Sequence, residues 1–300
     1  MFITSLANSR WGPSLGLGIV RLLPRRVAYR LGSLVASYLT LNRNDPLIQG
    51  IRANQAVVRG MDYDDPELDY AVKEVLKSTA KSFVDIFKAI QGGEKSLHEV
   101  CDFDEDLQQK VDVWVQEDRG HVVVGPHMMG FDIFSLYLGL FGFPLIALSY
   151  PNPRESYLVQ NEIRRKFGLE IIPATVEALR IALKHLRQGG AIITGVDRPG
   201  LGGDTLEFFG RKAILPTGHA RLARRTGSLL IVGVPEYLDD GSYLARCGTV
   251  LEPDLSLDEH EDAQRMAQES LKILEANIRR FPGRWLMFYP VWPEVIPDHT

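Results

Sequence analysis

His127 is the residue in this sequence best placed to do chemistry. It follows the apolar run His121-Val122-Val123-Val124-Gly125 and opens the segment His127-Met128-Met129-Gly130-Phe131-Asp132. A histidine in a turn bounded by proline and glycine, just past a buried strand, sits where an imidazole can reach a substrate. An acid, Asp132, stands five residues later. A tight turn would fold the ring back towards that carboxylate, which could accept Nδ1–H and leave Nε2 as a free base. Such a pair is a base and its orienter without a protein nucleophile, so the attacking group would be a hydroxyl of the substrate. The spacing fits equally a hydrogen-bonded histidine with Asp132 as a favourable charge in the first turn of a helix.

Other chemistry-bearing residues read more plainly. His219 falls inside a predicted helix and reads as a packed histidine. His260, in Asp258-Glu259-His260-Glu261-Asp262, reads as part of a solvated helix start, and no metal-ligand cluster is expected. Cys101 and Cys247 stand alone without CxxC spacing, as reduced thiols of a cytoplasmic protein do.

The elements that must position His127 follow from periodicity. Residues 66–91 read as an amphipathic helix, started at Pro66 and ended at Gly92-Gly93. Residues 1 to about 95 read as all-helical. Beyond them the pattern alternates. Short apolar strands are expected at 121–125, 145–150, 169–172, 191–196, 228–237, 243–251 and 285–289. Helices are expected at 131–141, 155–167, 176–186, 216–225 and 258–281. Strands alternating with helices predict an α/β fold, with a mostly parallel central sheet flanked by helices. Polar residues just after strands, at His127, Asp197 and Glu236, fall where such sheets place their sites. A boundary is drawn in the acidic stretch Asp102 to Asp106, giving a helical region over 1–105 and an α/β catalytic domain over 106–300.

The chain has 300 residues, 45% hydrophobic and 24% charged, with a formal net charge of −4. This excludes a disordered tail, a fibre and a polytopic membrane protein, and it argues against a nucleic-acid binder. The charge is graded along the chain. Residues 1–44 hold six arginines, no lysine and no acid, whereas residues 45–112 hold 8 basic and 15 acidic residues. The apolar runs at 11–20 and 31–42 are too short to span a bilayer. Leu22, Leu23, Val27, Leu31, Leu34, Val35 and Tyr38 recur at helical spacing, with arginines between them and Trp11 and Tyr29 as amphipathic rings. That pattern fits a helix lying in a membrane surface, or one packed on its own domain.

The ordered motifs bear a resemblance. Leu23-Pro24-Arg25-Arg26-Val27-Ala28-Tyr29-Arg30-Leu31-Gly32, Arg52-Ala53-Asn54, the His127/Asp132 motif and Asp197-Arg198-Pro199-Gly200 occur in sequence. Phe208-Phe209-Gly210, Pro216-Thr217-Gly218-His219-Ala220-Arg221-Leu222-Ala223 and Val234-Pro235 follow. Over roughly residues 15–293 this order resembles the lysophospholipid acyltransferase superfamily. It is most similar to the bacterial branch of late lipid A and phosphatidylinositol-mannoside acyltransferases. The segment at 216–223 is similar to the family's "TPTGPARLA", with His219 in place of its proline.

The resemblance implies a glycerolipid acyltransferase-like fold preceded by a membrane-associating helical region. It implies transfer of a fatty acyl chain from acyl-CoA or acyl carrier protein to a hydroxyl of a lipid or glycolipid, with no cofactor. His127 would be the general base and Asp132 its orienter. Arg164, or its neighbour Arg165, would meet a phosphate, and Asp197 would bind acceptor hydroxyls or hold Arg164. Phe208, Phe209 and Gly210 would shape the acceptor or acyl groove. The protein would lie on the cytoplasmic face of the inner membrane through residues 1–44. The same pair acting on water would make a thioesterase or lipid hydrolase, and the fold without turnover a lipid-binding protein. Two departures bear on the acceptor more than on the reaction. Asp132 stands where the lipid A branch usually has Glu, and Val291 stands before Trp292 where that branch tends to have Arg.

Overall fold

The computed structural model describes residues 18, 20, 22–142, 144–149, 161–162, 164–173, 175–200 and 202–297. Trp11 and most of the helix expected at 155–167 lie outside the described residues.

From Arg25 onward the described N-terminal residues build three helices, as their periodicity predicts. Helix α1 spans Arg25–Leu39, α2 Pro46–Arg59 and α3 Leu68–Val100. Pro46 at the first position and the Asp45 carboxylate, which accepts from Leu47 N–H at 2.9 Å, start α2. Helix α3 does not end at Gly92-Gly93. Its backbone leaves the helical region at Gly93 (φ 68°, ψ −156°) and re-enters it, so the glycine makes a kink. Asp85 on α3 is 1% exposed and binds three elements together. It accepts from Tyr29 of α1, pairs with Arg25 Nε at 3.5 Å, and accepts from Tyr243 Oη at 2.7 Å. Burial pushes its carboxyl above the usual carboxylate range, against the pull of these partners.

The remaining chain builds the sheet. The elements are β1 Cys101–Phe103, α4 Glu105–Trp114, β2 His121–Gly125, α5 Phe131–Gly139, β3 Leu145–Ser149 and β4 Leu169–Pro173. There follow α6 Val176–Arg187, β5 Ala191–Gly195, β6 Asp204–Phe208, β7 Arg211–Leu215, α7 Gly218–Thr226, β8 Leu229–Tyr237, β9 Tyr243–Leu251 and α8 Glu259–Arg280. Seven strands form one sheet in the order β1-β9-β8-β2-β5-β3-β4. The run from β8 to β4 is parallel, and β9 is antiparallel to β8. Strand β1, just ahead of the boundary drawn at residue 105, pairs with β9.

Both faces of the sheet are covered, which is why its strands read as continuous apolar runs. Val122, Val124, Ile146, Ile192 and Leu230 pack with α6, α7 and α8 on one face. Val123, Leu145, Ile171, Ile193 and Ile231 pack with α4 and α5 on the other.

Two segments depart from the sequence reading. Phe208-Phe209-Gly210 belongs to a β6–β7 hairpin, with Phe209 (φ 54°) and Gly210 (φ 71°) in its turn. A phenylalanine in the left-handed region is uncommon, which hides the turn from sequence. Residues 285–289, expected as a strand, are an irregular strap. Its one bridge joins Trp285 to Met128. Asn54 of α2 holds the strap, donating to Met287 O and Tyr289 O at 3.1 and 2.8 Å and accepting from Val291 N–H at 2.8 Å. Cys101 and Cys247 are free thiols.

Candidate active site

Strands β2 and β5 lie side by side in parallel register, with Gly125 opposite Gly195. His127 is two residues past the first glycine and Asp197 two past the second, so both emerge at the same end of the sheet. The chain leaves β2 for α5 on one face and leaves β5 for α7 on the other. This is the switch point at which open α/β sheets form a crevice.

Asp197 is fully buried, and each bond it makes aligns the histidine or replaces lost water. Its Oδ1 lies 2.5 Å from His127 Nδ1. Its two oxygens accept His127 N–H at 3.1 and 2.9 Å, and Oδ2 accepts Trp285 Nε1–H at 2.7 Å. A carboxylate on Nδ1–H makes Nε2 the basic nitrogen. The turn is held from behind as well. Met129 N–H donates to Arg284 O at 2.9 Å and Leu286 N–H to His127 O at 2.8 Å. Gly195 lets the ring lie against β5, since a Cβ there would meet His127 Cε1 at 2.4 Å.

Asp132 takes a different partner from the one its spacing suggests. It lies in the first turn of α5, and its Oδ1 meets Arg164 NH2 at 2.5 Å. Arg164 stands in helical backbone ahead of β4 and also donates to Asn161 Oδ1 at 3.1 Å. The reason is geometric. β5 is already beside the strand end and delivers a carboxylate to Nδ1, whereas α5 starts only after four more residues. Asp197 is therefore engaged with His127 and Trp285, and it is fully buried. Arg165 turns away to Ile171 O at 3.4 Å.

A cavity of about 900 Å³ opens in front of His127. Asp132, Arg164, Arg198 and Arg221 bring charge to its lining. Phe83 and Ile86 of α3, Ala147 of β3, Ile171 of β4 and Leu179 of α6 supply an apolar wall. Such a space suits a long apolar chain with a polar end. Phe208 and Phe209, expected at a groove, are not in the lining. They are 0% and 8% exposed and pack behind the site, Phe208 stacking on Trp292 at 5.7 Å and meeting Trp285 edge-on at 6.0 Å. Gly210 is in the hairpin turn. His219 is buried as expected, and the residue is part of the cavity lining. Among the described residues no cluster of His, Cys, Asp or Glu could hold a metal ion.

Trp285 was not legible as a site residue, because its neighbours read as a strand. The Asp197 partnership had a signal in the sequence. Both polar residues follow a strand-ending glycine by two positions, Gly125-Pro126-His127 and Gly195-Val196-Asp197.

Comparison with known proteins decides the family. The model of the bacterial lipid A biosynthesis acyltransferases matches residues 3–294. The chain belongs to this family. It is also similar to the phosphatidylinositol mannoside acyltransferase of Mycolicibacterium smegmatis, 25% identical over 297 residues, covering 96% of this chain and 92% of that protein. The protein is thus an enzyme that transfers acyl groups, in a family acting on lipids or glycolipids. The resemblance read from the ordered motifs holds over nearly the whole chain.

Proposed function

We propose that the protein moves a fatty acyl chain from acyl-CoA or acyl carrier protein to a glycolipid hydroxyl, with His127 as general base. A glycolipid is the acceptor class common to the family's name and the relative's. The observation that carries the reading is the 2.5 Å contact of Asp197 with His127 Nδ1, beside a half-apolar cavity that the imidazole borders.

His127 Nε2 takes the proton of the acceptor hydroxyl. The oxygen attacks the thioester carbonyl, and the tetrahedral intermediate collapses with breakage of the C–S bond. His127 returns the proton to the departing sulfur, giving an ester and a thiol. No metal or cofactor is called on. General-base help contributes about 10²–10⁴-fold, and holding both substrates in one cavity adds the advantage of proximity. Asp197 orients the imidazole and stabilises its cation, and so is a positioning residue. Asp132 keeps Arg164 at the cavity, where the guanidinium fork suits a phosphate on either substrate.

The enzyme works from the cytoplasmic face of the inner membrane, bound peripherally. Leu31, Leu34, Val35, Tyr38 and Leu41 of α1 and its C-terminal end are exposed, with Arg26 and Arg30 beside them. An exposed apolar face flanked by arginines suits an anionic bilayer surface. Among the described residues no helix is long and apolar enough to cross a membrane.

Purified full-length protein, given a thioester donor and a panel of lipid hydroxyl acceptors, tests the reaction. The expected products are equal amounts of acylated acceptor and free thiol, with His127→Ala at background. Free fatty acid growing independently of acceptor would replace transfer by hydrolysis. Flotation with anionic liposomes tests the surface. Binding is expected to weaken with salt and on Leu34→Glu with Leu41→Glu. Equal binding by the double variant would remove α1 from the membrane contact.

A further inference from the structure

Helices α6, α7 and α8 pack on one face of the sheet, but their cations are differently placed. Every arginine of α7 and α8 has a carboxylate partner, from Arg221 with Asp204 to Arg280 with Glu236. On α6, Arg180, Lys184 and Arg187 are exposed. Among the described residues none of the three has an ion pair or a side-chain hydrogen bond. They stand at i, i+4 and i+7, which makes one stripe on the outer side of the helix, about 10 Å long. Glu177 is the only acid of the helix and stands in its first turn.

The stripe adjoins the cavity. Thr175, which caps α6, and Leu179, the residue before Arg180, both line it. Leu179 and Ile181 are exposed apolar side chains on either side of Arg180. Cations set among exposed apolar residues suit a protein partner, which supplies both apolar contact and opposite charge. The whole chain carries a net −4, so an attraction for an acidic partner has to be local, and α6 supplies it at the edge of the cavity.

We propose that the outer face of α6 docks the acyl carrier protein that delivers the thioester. Such a carrier is a small acidic helical protein with its acyl group on a phosphopantetheine arm. Carboxylates along one of its helices meet Arg180, Lys184 and Arg187, and its apolar residues meet Leu179 and Ile181. The arm then enters the cavity beside Leu179. Charge complementarity of this kind speeds encounter and fixes the orientation in which the partner arrives. The proposal rests on the acyl-transfer reading and decides its donor. CoA carries the same arm without a protein surface, so it gains nothing from the apolar and cationic face of α6.

Steady-state kinetics of the full-length protein with acyl carrier protein and with acyl-CoA test this. Changing Arg180, Lys184 and Arg187 together to Glu is expected to lower kcat/KM with the carrier protein about tenfold more than kcat/KM with acyl-CoA. That ratio does not depend on the fraction of protein that is folded. The same three changes to Gln should give a smaller loss, and added salt should erode the carrier protein's advantage in the parent. A ratio unmoved by charge reversal overturns the proposal. So does a parent that turns over acyl-CoA but not the carrier-bound acyl group, which leaves acyl transfer standing. Binding of the carrier protein to the immobilised enzyme is measured in parallel. Where neither donor turns over, the transfer reading fails, and binding lost on charge reversal still supports the docking face while absence of binding overturns it. Weaker flotation of the Glu variant with anionic liposomes, at an unchanged donor ratio, would give α6 to the bilayer instead.

Discussion

Asp197 and Asp132 are both carboxylates of the site, and their surroundings assign them different work. Asp197 is buried on His127, so Asp197→Asn keeps the shape but changes the hydrogen-bonding sense at Nδ1. We expect kcat to fall by about 10²–10⁴-fold with KM little altered. Asp132 is 42% exposed and pairs with Arg164. Asp132→Asn releases the guanidinium and should raise KM more than it lowers kcat. Steady-state kinetics of the two variants separates the roles, and the reverse pattern would return the orienting role to Asp132. Gly195→Ala is a third check, because its Cβ would collide with the imidazole. Activity should fall by more than tenfold with a melting temperature close to that of the parent. At this scale the sequence made His127, Arg164 and Asp197 legible as types and positions. It left their pairing unreadable, since a hydrogen bond between residues 70 apart is a property of the sheet.

The elements behind the site form a chain of supports. Asn54 of α2 holds the strap, the strap carries Trp285, and Trp285 holds Asp197. Asn54→Ala leaves buried backbone groups of the strap unpaired and should cost about 1–3 kcal/mol each. Chemical denaturation measures this. Part of the activity should be lost too, although Asn54 is not in the cavity lining. An unchanged kcat would detach the strap from the site. The alternation of strands and helices was legible because both sheet faces are covered, which makes the strands uniformly apolar. The strap was misread for the same reason, since Trp285-Leu286-Met287-Phe288-Tyr289 is apolar but paired only through the single bridge at Trp285. The β6–β7 hairpin was missed because its turn uses Phe209 where glycine or asparagine would have announced it.

Across the molecule, burial of neutral imidazoles makes stability depend on pH. His121 and His219 are both pushed down to about 4 by desolvation, against about 6.5 for a free imidazole. Above pH 6.5 neither the folded nor the unfolded chain carries these protons, and the groups leave stability unchanged. Between about 6.5 and 4 the unfolded chain binds protons that the fold excludes, so stability falls as pH falls. At pH 5 the loss is about 2 kcal/mol for each histidine. His219→Leu should therefore lose about 2 kcal/mol less than the parent between pH 7 and pH 5. Denaturation curves at the two pH values measure the difference, and equal losses would mean that His219 is protonated in the folded state.

The alignment of Gly125 with Gly195 also governs which kinds of genetic change the site survives. The distance from each glycine to its functional residue is a count of two, kept in two separate loops. Substitutions along β2 or β5 leave that count intact. Deletion or insertion of one codon in either loop does not, because a one-residue slip turns the side chain to the opposite face of the sheet. A single-codon deletion at Pro126 or Val196 should abolish turnover. The same deletion made in both loops would leave the two counts equal, at one each, without restoring the turns. Length, more than composition, is the constrained quantity in these two short connections.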